Sequence, residues 1–156
     1  EHGQQYNQWN SNFRRVVDFM IKIKRVSPNT ARAKSLIESS KQAIKTASSL
    51  NLSETTKKTV LRELYEGLRQ FCEAIGYYKG YKFSSHEEIT SFLKYDLKEG
   101  SMAIKFDRYR KLRNGINYYG DDISEETVKD ALEEIPKMSQ YLKRYLNGEN
   151  QQQKWK

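Results

Sequence analysis

The sequence has very few of the residues that build disulfides and metal sites. Cys72 is the only cysteine among 156 residues, and there are two histidines. A single cysteine excludes an internal disulfide framework and a cysteine-based zinc cluster, and two histidines disfavour a histidine-rich metal site. We therefore expect no metal ion and no other cofactor.

Long apolar runs are also missing. No run approaches the roughly 20 apolar residues that cross a bilayer. Arg, Asn and Gln interrupt the apolar positions of the first thirty residues. The sequence therefore predicts neither a membrane-spanning helix nor a secretory signal. We expect a cytoplasmic protein with no membrane partner.

Two prolines and eight glycines leave long uninterrupted stretches. Within them apolar residues recur at helical spacing, and no period-two strand pattern persists. The pattern predicts an all-α, up-and-down helical bundle with a four-helix core and additional short or terminal helices. We expect an N-terminal helix within residues 1–28, the bundle in 29–147 and a disordered tail in 148–156. The expected helices are 11–25, 29–50, a long central helix that Ser53 caps and that ends near Gly76, a short helix from Ser84 or Ser85, 100–120 and 124–146.

The net charge of +8 is unevenly distributed along the chain. Residues 1–62 carry 12 basic and 4 acidic side chains, residues 101–120 carry 5 and 1, and residues 121–147 carry 4 and 7. Such basic segments suit the phosphate backbone of a nucleic acid. An ordinary lysine-rich solvent face explains the N-terminal segment equally well.

One polar stripe stands out between Phe106 and Gly120. Its members Arg110, Asn114, Asn117 and Tyr118 recur at three- and four-residue steps, so one helix face carries a cation, two amides and a phenol. Arg113 lies five positions before Tyr118, about 140° around an ideal helix. We therefore expect the two to meet only if the helix loosens near Gly115 or a second subunit contributes one of them.

The run Arg113-Asn114-Gly115-Ile116-Asn117-Tyr118-Tyr119-Gly120 resembles the Arg-Asn-x-x-x-His-Tyr signature of HEPN domains. These are small helical bundles of prokaryotic toxin–antitoxin systems and RNA-processing proteins. Upstream, Leu64–Ile75 is similar to the family's second bundle helix, and Gly80–His86 to its Gly-x-x-x-Ser-His entry into the third. The resemblance covers about residues 29 to 146.

The resemblance implies a metal-independent endoribonuclease that acts as a homodimer, with an Arg and a His from each chain meeting at the interface. The His would carry the proton while a ribose 2′-hydroxyl attacks its phosphate, and Arg113 would stabilise the phosphorane charge. Tyr118 occupies the family's His position. An unperturbed imidazole titrates near pH 6.5 and an unperturbed phenol near pH 10, so a phenol is the poorer base by about three orders of magnitude in ionised fraction. His86 is the remaining candidate for the lost base.

Other interpretations stay open for each candidate. Arg113 has an alternative as one half of an ion pair across a dimer, and Tyr118 and Tyr119 have one as interface packing. His86 is equally typical of a cap or a surface residue. Glu73 either orients a cleft arginine or pairs with Arg69 one turn earlier.

Two functions follow from these residues. The first is an HEPN-like protein that binds RNA or a nucleotide through Arg110, Asn114, Asn117, Glu73 and Tyr119, with Arg113, Tyr118 and His86 as candidate catalytic residues of a weak or degenerate ribonuclease. For this class an acidic or nucleotidyltransferase-type antitoxin is the natural partner. The second is a non-catalytic homodimeric protein-interaction bundle.

Overall fold

The computed structural model describes residues 11, 13–15, 18 and 22–147. This part of the chain is mostly helical, which confirms the all-α class, and it adds one small two-stranded sheet. The tail predicted at 148–156, and most of the apolar positions of the predicted first helix, lie outside the described residues. The helices are α1 (Thr30–Ser49), α2 (Lys57–Lys79), α3 (His86–Ser91), α4 (Gly100–Tyr119) and α5 (Glu125–Leu142), with a π-helical turn at Phe92–Asp96 and a 3₁₀ turn at Lys143–Tyr145.

Helix α2 lies at the centre of the bundle and packs against α1, α4 and α5. Its apolar residues recur on one stripe, so the helix buries a continuous row of side chains, and Leu64, Leu68 and Ile75 have no exposed surface. Aromatic rings of α2 and α4 pack into the same core: Tyr65 and Phe71 of α2 and Phe106 of α4 are all at most 2% exposed. None of the helices in the described part of the chain has the length and apolar character of a membrane span.

A short sheet closes one end of α2. Strand β1 (Lys24–Arg25) pairs antiparallel with β2 (Tyr81–Lys82), and the Arg25 guanidinium lies 4.0 Å from the centre of the Tyr81 ring. The prediction that the first helix reaches Arg25 is wrong at its last three residues, since Ile23 is in a bend and Lys24 and Arg25 form the strand. The backbone of β2 offers Lys24 and Arg25 hydrogen bonds, and the Tyr81 ring offers Arg25 a cation–π contact that a helix end would forgo.

Capping residues fix where several helices begin and end. Ser85 caps α3 through a complete capping box with Glu88, and the Ser124 hydroxyl accepts a hydrogen bond from the Thr127 N–H at the start of α5. Both starts and the predicted stop at Gly120 are confirmed. Ser53 does not cap α2. Its hydroxyl accepts a hydrogen bond from the Thr56 N–H in the turn that precedes the helix, and the helix begins at Lys57.

Gly80 provides the sharpest stability test of this fold. Its φ is +87°, and a Cβ there would lie 2.7 Å from the Val26 carbonyl oxygen, whereas Gly120 has φ +64° and open space around it. Gly120→Ala should lower the free energy of unfolding by about 1 kcal/mol from the left-handed backbone alone. Gly80→Ala should cost about 3 kcal/mol because a backbone clash is added. Urea unfolding followed by circular dichroism measures both, and equal losses would show that the β1–β2 closure is absent in solution.

Candidate functional site

A cleft of about 260 Å³ lies between the start of α3 and the second half of α4. The residues at the capped N-terminus of α3 form one wall of the cleft. Side chains of the polar stripe, about one turn apart along α4, form the other wall. The lining residues are Ser85, His86, Glu87, Arg110, Arg113, Asn114 and Tyr118. Five of the eight residues predicted for the site, separated by up to 32 positions in the chain, therefore share one surface.

His86 owes its position to the capping box of α3. The Glu88 carboxylate accepts hydrogen bonds from the Ser84 N–H (2.7 Å), the Ser84 hydroxyl (2.7 Å) and the Ser85 N–H (3.3 Å). The Ser85 hydroxyl in turn accepts from the Glu88 N–H. Because these bonds hold both flanks of the first helical residue, the imidazole of His86 points in a defined direction.

Arg113 lines the cleft with a half-buried, positively charged side chain. Its guanidinium lies 5.0 Å from the centre of the Tyr65 ring. Nη2 is 3.1 Å from His86 Nδ1, and Nη1 donates to Asn114 Oδ1 at 3.0 Å. No carboxylate of the described residues lies within ion-pair distance of Arg113, so its charge faces only neutral groups.

The other two arginines near the cleft are compensated. Arg110 pairs with Asp107 at 2.8 Å and more loosely with Glu87 at 3.6 Å. Arg69 pairs with Glu66 and, at 2.7 Å, with Glu73. Burying an arginine without such a partner is costly, so the uncompensated guanidinium of Arg113 marks a place where an anion would be stabilised.

Tyr65 belongs to the site although its sequence position indicated only core packing. Its ring is 1% exposed, and its hydroxyl lies 2.8 Å from His86 Nδ1. A buried phenol needs a hydrogen-bond partner for its hydroxyl, and this requirement was the one available indication that Tyr65 contacts another polar residue. Burial raises the pKa of the Tyr65 phenol, so it stays protonated at neutral pH.

The surroundings of His86 disfavour its charged form. Burial, followed by the guanidinium groups of Arg113 and Arg69, lowers the pKa of His86 to about 4. Desolvation and neighbouring positive charge act in the same direction, because both destabilise an imidazolium ion. The ring is therefore neutral at physiological pH.

Three residues predicted for the site do not line the cleft. Glu73 is bonded to Arg69, as one of its two interpretations held. The Asn117 amide oxygen accepts from Arg62 Nε at 2.7 Å, on the side of α4 that faces α2. Tyr119 is 80% exposed beside the cleft.

The geometry expected for Arg113 and Tyr118 is wrong in one respect. Arg113 Nη1 approaches the Tyr118 hydroxyl to 3.5 Å within one chain, and α4 is a continuous α-helix to Tyr119. Both side chains are long enough to span the angle between their helix positions, so neither a loosened helix nor a second subunit is required. The approach of these two residues is accordingly no argument for a dimer.

Chemically, the cleft offers hydrogen-bond donors and positive charge, with a phenol at its edge and one carboxylate, that of Glu87, which pairs loosely with Arg110. The described residues contain no group of three or more His, Cys, Asp or Glu side chains arranged to hold a metal ion. No protein-family model matches the chain, and no curated protein matches it either.

Proposed function

We propose that this protein binds the phosphate groups of single-stranded RNA or of a nucleotide in the α3–α4 cleft, as an HEPN-like bundle. The observation that supports this most directly is the Arg113 guanidinium, which is half-buried and has no carboxylate partner among the described residues. An anion in the cleft would supply the missing charge. A guanidinium fork matches phosphate oxygens bidentately, and charge-assisted hydrogen bonds of this kind are the strong ones.

The surrounding charge favours a nucleic acid over a small carboxylate. Residues 101–120 carry five basic side chains and one acidic one, on a chain of net charge +8. Arg110 adds a second guanidinium at the cleft wall, where it pairs with Asp107 at 2.8 Å and with Glu87 at 3.6 Å. Phosphate contacts made by such groups are independent of sequence and sensitive to salt.

Cleavage of a bound RNA would need a group that transfers a proton near neutral pH. In the HEPN resemblance a His accompanies the Arg, and here Tyr118 stands in that position. His86, the other candidate base, is neutral with one ring nitrogen already engaged. We therefore propose a weak or degenerate metal-independent ribonuclease, in which binding persists and proton transfer is impaired.

The test is the affinity of a fluorescently labelled single-stranded RNA for the full chain, with a chelator present and over a range of salt concentrations. It is made on the wild-type chain and on a variant that lacks both cleft guanidinium groups. A nucleotide competitor then distinguishes RNA from nucleotide as the preferred ligand.

A second candidate function, a homodimeric interaction bundle, is favoured by exposed apolar side chains on α4. Ile104, Tyr118 and Tyr119 are 74%, 70% and 80% exposed. Ile104 also lines a separate groove of about 680 Å³, which shares no lining residue with the cleft, together with Ala103, Leu112 and Ile123. Exposed apolar surface of this kind is typical of protein contacts, with a second copy or with an antitoxin of the nucleotidyltransferase type.

We expect sedimentation equilibrium to give about twice the chain mass of 18.4 kDa. Ile104→Glu should shift the protein to a monomer, because it places a charge in an apolar contact. Leu50→Glu is the matched control: Leu50 is exposed at the end of α1, far along the chain from this groove, and its substitution should leave the dimer intact. A wild-type monomer at every micromolar concentration would remove this candidate.

A further inference from the structure

Two groups approach the same ring nitrogen of His86. The Tyr65 hydroxyl is 2.8 Å from Nδ1, and Arg113 Nη2 is 3.1 Å from it. A guanidinium has five N–H donors and no acceptor. Nδ1 must therefore be the acceptor, since a proton on it would point at another N–H. In a neutral ring the proton then resides on Nε2.

Tyr65, the residue that fixes this arrangement, is part of the hydrophobic core. Tyr65 is on the central helix α2, and its ring centre lies 5.6 Å from that of Phe106. The His86 ring is tilted against the same phenol, with centres also 5.6 Å apart. Because the phenol is buried and packed, its hydroxyl cannot follow the imidazole if the imidazole rotates.

A proton on Nε2 makes this second ring nitrogen of His86 a hydrogen-bond donor. Nε2 has no hydrogen-bond partner among the described residues, and His86 lines the cleft beside Arg113 and Asn114. A neutral imidazole with its proton on Nε2 donates a hydrogen bond and accepts none there. Enzymes use neutral imidazole in this way to contact an oxygen that carries negative charge.

We propose that Tyr65 is a positioning residue that, together with the donor-only guanidinium of Arg113, holds His86 as the Nε2–H tautomer, so that His86 serves the cleft as a hydrogen-bond donor to a phosphate oxygen beside that guanidinium. This rests on the proposed function for the identity of the ligand. It also assigns His86 a role different from that of a general base, because the nitrogen that could accept a proton is the one that Tyr65 and Arg113 occupy.

The experiment follows the two ring nitrogens of His86 by long-range ¹H–¹⁵N correlation spectra, with His86→Gln identifying its signals. At pH 7 the wild-type chain should show a neutral ring protonated on Nε2, with the shielded Nδ1 of a hydrogen-bond acceptor. Adding inorganic phosphate should move the Nε2–H signal. In Tyr65→Phe the Nδ1 signal should shift toward that of a free imidazole, and phosphate affinity should fall about 3- to 10-fold.

Tyr109→Phe is the matched control. Tyr109 is a fully buried phenol on α4 whose hydroxyl donates to Glu134 at 2.6 Å, remote from His86. Its loss should leave the imidazole signals and phosphate affinity unchanged, which separates positioning from a general loss of core stability.

A wild-type ring that is charged at pH 7, or protonated on Nδ1, would overturn the proposal. Identical imidazole spectra in the wild-type chain and folded Tyr65→Phe would also overturn it. The tautomer readout needs no RNA. If the spectra respond to Tyr65→Phe and to phosphate but RNA does not bind, the proposed function fails and the assignment of Tyr65 stands.

Discussion

Replacing both cleft arginines should weaken binding of single-stranded RNA by about 100-fold at low salt. Each charge-assisted hydrogen bond to phosphate contributes on the order of 1.5–3 kcal/mol, and the loss of two gives at least this factor. Arg110→Gln with Arg113→Gln keeps most of the side-chain volume while it removes both charges. The slope of log affinity against log salt should also become shallower by about 1.4, since about 0.7 is lost per phosphate contact with a single strand. Fluorescence anisotropy titrations measure both quantities.

The control for this variant lies on the same helix. Arg108→Gln with Lys111→Gln removes the same formal charge from α4, but these two residues line the larger groove instead of the cleft. Long-range attraction alone predicts a small and equal loss for both pairs. Equal losses would therefore contradict a phosphate site at Arg113, and so would an affinity that does not depend on salt.

Placing a histidine at position 118 should raise RNA cleavage by about 10- to 100-fold over a wild-type chain that cleaves slowly or not at all. A positioned general acid or base contributes about 10²–10⁴-fold, and imidazole titrates near neutrality where a phenol does not. The Tyr118 hydroxyl lies 3.5 Å from Arg113 Nη1, so a side chain at this position reaches the guanidinium. An imidazole is shorter than a phenol, which is the reason to expect partial recovery only.

Three variants decide which group carries the proton. Single-turnover cleavage of a labelled RNA is followed in the presence of chelator for Tyr118→His, Tyr118→Phe and His86→Gln. Robust wild-type cleavage that Tyr118→Phe abolishes, with an alkaline optimum, would show that the phenol itself is the acid or base. Cleavage that survives Tyr118→Phe and is lost in His86→Gln would instead identify His86 as the proton carrier and contradict its role as a donor.

The local features of the fold were predictable because they depend on neighbouring residues only. Ser85 and Ser124 cap helices through hydrogen bonds that span three residues, and Gly120 ends α4 because glycine adopts a left-handed backbone at little cost. The apolar stripe of α2 likewise follows from spacing alone. The strand at Lys24–Arg25 was missed because its pairing partners lie 56 and 58 positions away along the chain, and no local pattern in two residues encodes such a pairing.

The candidate site was predictable in part for the same reason. Arg110, Asn114 and Tyr118 share a face of one helix, so their joint appearance in the cleft follows from the period of the helix. Asn117 belonged to the same pattern but turns toward Arg62 of α2, a neighbour that helical spacing does not reveal. Glu73 had two interpretations, and its bond to Arg69 selects the one that needs only a single turn of helix.

The sequence by itself determined the helical class, the caps and the polar stripe on α4, since these depend on helical periodicity and on hydrogen bonds between near neighbours. Only the tertiary structure decided that Tyr65, His86 and Arg113 meet, because three different helices supply them and their contact depends on how those helices pack. It also decided that Arg110 meets Glu87 of another helix and that no carboxylate of the described residues reaches Arg113, whereas the Arg69–Glu73 and Arg110–Asp107 pairs lie within one turn of their own helices. Ion pairing depends on distances between side chains across the bundle, and spacing along a single helix contains only some of those distances.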